Sequence, residues 1–248
     1  MLSLSFNLQA QGWLKYYNDN ATQDLSSMLV TPDDGFLLVG SQEDDEKILL
    51  IKTDAEGEEE WTKFYDLPGV YYSRVFEKSN GHFVIYAKST PATTQIIEIN
   101  TADDVIQDYN LSYYCNQIIE ATDGNYIAIN ESFNTTNDIE VFKFDTNGNE
   151  IWSVILDETK DENPFDIIAV SDGGFMITGE RREVGTSVGE GMLMKIDENG
   201  VKELVSYVSN MNIVRKIIQT QDGNFVYTGY NITIDADLQY KKLTHRVT

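Results

Sequence analysis

Asp172-Gly173-Gly174-Phe175 is a tight turn that runs straight into an aromatic residue, and the chain uses the same device four more times. Its counterparts are Asp33-Asp34-Gly35 before Phe36, Asn80-Gly81-His82 before Phe83, Asp123-Gly124-Asn125 before Tyr126 and Asp222-Gly223-Asn224 before Phe225. Asp, Asn and Gly tolerate the positive φ that short hairpins need, so each turn predicts two antiparallel strands. The five aromatics lie 47, 43, 49 and 50 residues apart, the period of a propeller blade.

Ahead of each turn stands an apolar pair: Met28-Leu29, Val75-Phe76, Ile118-Ile119, Ile167-Ile168 and Ile217-Ile218. Behind each aromatic a second strand ends on Gly40, Ala87, Asn130, Gly179 or Gly229. A third strand follows at 48–52, 96–99, 141–144, 193–196 and 240–243. Asp54, Asn100, Asp145, Asp197 and Thr244 then open a second hairpin. In three copies Gly57, Gly148 or Gly200 follows three residues later, and Trp61, Trp152 or Leu204 four residues after that, on an outer strand. Trp13, in Trp13-Leu14-Lys15-Tyr16-Tyr17, occupies the same repeat position with no strands before it. The last copy reaches Thr248 inside the hairpin where its own outer strand would begin. The expected fold is therefore an all-β, five-bladed propeller of four-stranded antiparallel blades, closed by the N-terminal strand, with Trp13 pairing onto 238–243. A piece of a longer propeller is the competing reading.

The chain has 248 residues, 41% of them hydrophobic, and 18 Lys plus Arg against 41 Asp plus Glu, a formal charge of -23. That field repels phosphate backbones and anionic membrane surfaces, so no nucleic-acid partner is expected. No apolar run reaches the length of a membrane helix, so no insertion is expected either. Residues 1–10 read as a signal-peptide remnant, apolar and ending on the small Ala10 but lacking a charged start, or as a disordered leader. Residues 11–248 read as one propeller domain. The lone Cys115 offers no disulfide.

The motif Asp172-Gly173-Gly174-Phe175, with Asp145-Thr146-Asn147-Gly148-Asn149-Glu150-Ile151-Trp152, resembles the blade of a large group of secreted bacterial β-propellers. The resemblance covers nearly the whole chain. It implies the fold and a secreted or cell-surface location, often as cargo of type IX secretion, and carries no activity with it.

The chemistry-bearing motifs are few. Gly185-Thr186-Ser187-Val188-Gly189 has the letters of a nucleophile elbow but lies between strands. The two histidines, His82 and His245, are expected at solvent-facing turns, out of reach of Ser187. One Cys and two His exclude an ordinary zinc cluster. The Asp145…Asn149 and Asp54…Glu60 hairpins and the acidic loop 157–163 offer oxygens, which read as turn chemistry and a solvated charge run. No metal, cofactor or catalytic residue is assigned. The loop face instead gathers Tyr71, Tyr72, Arg74, Tyr113, Tyr114, Arg181, Arg182 and Arg215, which suit a glycan or a peptide. The expectation is a monomeric, non-enzymatic binding or scaffold propeller. The alternative is a carbohydrate-active hydrolase using the inner-strand acids Glu77 and Glu120.

Overall fold

The structure, a computed structural model, describes residues 14–17, 23–42, 46–90, 92–102, 104–133, 136–186, 188–231 and 242–247. Among them are nineteen strands in five antiparallel sheets that follow one another along the chain. The first sheet holds β1 (Gln23–Val30), β2 (Phe36–Gln42), β3 (Lys47–Thr53) and β4 (Glu59–Asp66). The second holds β5 (Val70–Glu77), β6 (Phe83–Ser89), β7 (Thr93–Ile99) and β8 (Val105–Leu111). The third holds β9 (Gln117–Glu120), β10 (Tyr126–Phe133), β11 (Asn137–Phe144) and β12 (Glu150–Leu156). The fourth holds β13 (Asp161–Ala169), β14 (Phe175–Arg182), β15 (Glu190–Ile196) and β16 (Lys202–Val208). The fifth has β17 (Ile213–Gln219), β18 (Phe225–Tyr230) and β19 (Lys242–Val247). This is a propeller-like all-β fold, as the repeat predicts. No helix among the described residues is long and apolar enough to cross a membrane.

The cores lie between sheets. Side chains alternate along a strand, so β6 sends Phe83, Ile85 and Ala87 toward the first sheet. Its Val84 and Tyr86 point toward the third. Likewise β10 commits Ile127 and Ile129 to the fourth sheet, and Tyr126 and Ala128 to the second. A fourth cluster joins Met176 and Leu193 to Val214, Ile217 and Tyr227. Middle strands are buried on both faces, which is why they read as continuous apolar runs rather than as alternations.

The second hairpin explains the recurring Asp, Gly and Trp. Asp145 Oδ1 accepts the backbone N–H groups of Asn147 and Asn149 at 2.8 and 2.9 Å, which shapes the turn. Asp54 does the same for Glu56 and Glu58, and Asp197 for Asn199 and Val201. These oxygens are thus spent on turns, as expected. Gly200, at φ +83°, lies under the indole of Trp152 from the preceding sheet, where a Cβ would come within 2.9 Å of the ring.

Three expectations change at the ends. The third strand of the last sheet is Lys242–Val247, with Val247 opposite Phe225, so it lies beyond 240–243 and Thr244 is in a strand, not a turn. His245 accordingly sits on that strand opposite Tyr227, not at a hairpin tip. Trp13 and 238–241 lie outside the described residues. Of the N-terminal segment, residues 14–17 are described: Lys15 ion-pairs with Glu58, and the Tyr17 hydroxyl donates to the Gly57 carbonyl at 2.8 Å.

Candidate active site in the channel

First strands of neighbouring sheets lie against one another: β1 against β5, and β13 against both β9 and β17. Between β5 and β9 the Tyr72 hydroxyl reaches the Asn116 carbonyl at 3.5 Å. In β1, β13 and β17 a one-residue bulge falls at the same place and turns out Ser26, Phe165 and Arg215.

Toward the first hairpins these strands line an open groove of about 450 Å³ whose walls include Glu77, Gln117, Glu120, Asp166 and Lys216. Both acids read from the sequence are here. Glu120, however, accepts from the backbone N–H and hydroxyl of Ser79 at 2.6 and 3.0 Å. Gln219, at the same repeat position, accepts from Ser171 N–H at 2.9 Å, so this residue serves to hold the neighbouring turn. Glu77 is exposed, and its carboxylate has no hydrogen bond among the described residues. Asp166 was not read from the sequence. It is 2% exposed and accepts from Gln117 Nε2, Lys216 Nζ and the Ile217 N–H at 2.6, 2.9 and 3.0 Å.

At the other end of the same strands the second strands bring Lys88, Glu131 and Glu180 to equivalent positions, each one residue past Ala87, Asn130 or Gly179. Lys88 Nζ donates to Asn116 Oδ1 at 2.9 Å and stands 4.4 Å from the centre of the Tyr72 ring. Burial lowers the Lys88 pKa below the usual lysine value. Burial raises the Glu131 carboxyl above its usual range, while the charges of Lys88 and Arg182 pull it down and that of Glu180 pushes it further up. Glu180 accepts from Asn163 Nδ2 at 3.1 Å and pairs with Arg182 at 3.7 Å. Glu131, its carboxyl pushed up first by burial, thus shares this end of the sheets with Glu180 and its Arg182 partner.

Of the residues expected on the loop face, Tyr71 and Tyr114 meet edge to face at 6.2 Å, and Arg74 donates to the Tyr72 hydroxyl. Arg215 lies 4.0 Å from the Phe165 ring centre and donates to the Tyr230 hydroxyl at 3.2 Å. Arg182 joins Glu180. The other two lie elsewhere: Tyr113 stacks on Phe142 at 4.3 Å, against the core between the second and third sheets. Arg181 lies over Tyr207 of the outer strand β16 and pairs with Glu190 at 3.1 Å.

His82 is half-buried and turns back onto the sheet rather than projecting freely to solvent. Its Nδ1 is 2.6 Å from Glu98 Oε1, while Lys78 and the Tyr126 hydroxyl hold Glu98 Oε2 at 3.1 and 2.9 Å. Glu98 takes the place that lysines hold in three other sheets, where Lys52, Lys143 and Lys195 pair with Asp33, Asp123 and Asp172 of the first turn. Ser187 lies outside the described residues, and the segment after it enters a strand, Glu190–Ile196, rather than a helix. Away from the channel, Asp138, Asp157 and Glu162 bring three carboxylates together.

No family model matches the sequence, and no curated protein does. Solved structures do match in fold. A protein of unknown function from Bacteroides caccae superposes with a TM-score of 0.59 at 16% identity, covering 88% of this chain and 74% of its own. One from Dyadobacter fermentans gives 0.57 at 8%, covering 94% and 81%. A bifunctional GH43-CE protein of Bacteroides eggerthii gives 0.50 at 12%, covering 86% of this chain and 32% of its own. The fold is shared with these proteins. The expectation of a non-enzymatic binding and scaffold module is corrected here. It rested on a propeller with no visible catalytic residues, yet this fold is also that of a GH43 protein, and the sheets carry Glu131 and Asp166, acids not singled out from the sequence.

Proposed function

We propose that the chain is a carbohydrate-active hydrolase that cleaves glycosidic bonds in the channel between its inner strands. The observation that carries this reading is that Glu131 and Glu180 stand at equivalent positions on the second strands of adjacent sheets, the first raised in pKa by burial and by the charge of the second, and the second paired with Arg182. Glycoside cleavage needs one carboxylic acid to protonate the departing oxygen and one carboxylate to act on the anomeric carbon or its water. Glu131 takes the first role and Glu180 the second. Tyr71 and Tyr72 around Lys88, with Tyr114 against Tyr71, offer flat apolar surface to a sugar ring. The likeness to the GH43-CE protein supports the architecture on which this chemistry would be mounted.

The test is reducing-sugar release from a panel of polysaccharides and aryl glycosides. Glu131→Gln should lose about 100-fold or more in rate with its circular dichroism unchanged. Glu77→Gln, at the far end of the channel, should retain activity. A panel with no turnover, or a Glu131→Gln protein as fast as the parent, overturns the reading.

Two finer expectations belong with it. The N-terminal strand is read as closing the ring into five blades, because Lys15 and Tyr17 contact Glu58 and Gly57 in the outer hairpin of the first sheet. Removing residues 1–17 should then lower the melting temperature, and an unchanged melt would refute closure. An extracellular location, supported by the charge of -23 and the apolar residues 2–10, is tested by fractionating the producing cells.

A further inference from the structure

Where the third sheet meets the fourth, the start of β11, the loop after β12 and the start of β13 bring together Asp138, Asp157 and Glu162. Each offers a carboxylate oxygen, and the three oxygens lie within 4.8 Å of one another. Turn chemistry explains part of the arrangement: Thr136 Oγ1 donates to Asp138 Oδ1 at 2.8 Å, and the Thr159 N–H donates to Asp157 Oδ1 at 2.6 Å. It leaves Glu162 unexplained. Glu162 is fully buried, and while one oxygen accepts the Glu158 N–H at 3.3 Å, Oε1 has no partner among the described residues.

No cation answers this charge among the described residues. Lys160 turns to Glu183 at 2.7 Å and Lys202 to Glu158, and no ion pair includes Asp138, Asp157 or Glu162. A buried carboxylate oxygen with neither donor nor counter-charge is costly, and two further carboxylates beside it add to the repulsion. A single ion about 2.4 Å from each oxygen would satisfy all three, which is the reach of calcium. Magnesium requires shorter, near-octahedral bonds, and zinc prefers the nitrogen and sulfur ligands that this cluster lacks.

We propose that Asp138, Asp157 and Glu162 form a calcium site that ties the third sheet to the fourth. The remaining coordination comes from backbone carbonyls and water. The site is independent of the hydrolase reading, and its test requires no activity.

The experiment is calorimetric titration of the chelator-treated full chain with Ca²⁺, paired with thermal melts. One saturable site and a rise in melting temperature are expected, with Mg²⁺ at equal concentration producing neither. Asp157 is exposed, so Asp157→Asn should fold normally and still lose more than about tenfold in affinity. Glu162→Gln should abolish the calcium-dependent shift. Asp197→Asn, in a distant acidic turn, should leave the titration unchanged. Weak, many-site binding that persists in Asp157→Asn, or an equal response to Mg²⁺, overturns the proposal.

Discussion

The carboxylate of Asp166 on β13 accepts the backbone N–H of Ile217 on β17 at 3.0 Å, so a side chain from one sheet satisfies the main chain of the next. Ser27 repeats the relationship more weakly, accepting the Val75 N–H at 3.4 Å. Removing the Asp166 acceptor strands a buried donor and leaves Lys216 without its partner. Asp166→Ala should cost about 2–3 kcal/mol in urea denaturation, and Asp166→Asn less, because an amide oxygen can still accept.

Gly200 and Gly223 separate two effects. Both have positive φ, +83° and +80°, but only at Gly200 would a Cβ meet the Trp152 ring, at 2.9 Å. Gly223→Ala should cost about 1 kcal/mol, the backbone strain alone. Gly200→Ala should cost about 2–3 kcal/mol, because the indole must also move. Equal losses would mean that Trp152 yields freely.

The pH profile of hydrolysis should report the surroundings of Glu131. As the proton donor, Glu131 must be protonated, so activity falls as pH rises through its raised pKa. Lys88 lowers that pKa, so Lys88→Met should move the alkaline limb to higher pH. Arg182→Met should move it the same way. A limb that stays in place in both variants would assign the titration to another group.

Glu98 gives a stability prediction with the opposite sign. Burial works to raise its pKa, but the bonds from His82, Tyr126 and Lys78 outweigh this and hold it below its ordinary 4.5. A carboxyl depressed in the folded state stabilises above its unfolded pKa, and the contribution disappears as pH falls through the folded one. Glu98→Gln should therefore cost about 1–3 kcal/mol at neutral pH. The gap to the parent should narrow below about pH 4.5.

What the sequence disclosed follows the range of the forces involved. The Asp-Gly turns and the aromatics after them are local, and they place the first two strands of all five sheets. The third strand of the last sheet lies later than the repeat predicts because neither Tyr240-Lys241-Lys242-Leu243 nor Lys242–Val247 has a clean alternation to fix its start. No following turn pins its register, either. Lys88, Glu131 and Glu180 had a signal that was overlooked: the residue after Gly40, Ala87, Asn130, Gly179 and Gly229 is polar or tyrosine in every copy. Asp166 and the inward turn of His82 had none, because each depends on which side chain a neighbouring strand presents.

The inverted pair in the second sheet bears on how such a chain avoids folding into the wrong ring. Five near-copies of one hairpin invite a strand to dock on the wrong sister, the usual failure of tandem repeats. Third strands bearing Lys52, Lys143 or Lys195 suit first turns bearing Asp33, Asp123 or Asp172, and these could be exchanged without penalty. The strand bearing Glu98 suits only the turn with Lys78 and His82, and meets like charge at each of the other three. One reversal of sign thus labels one blade among look-alikes and gives the assembling chain a fixed point from which to count.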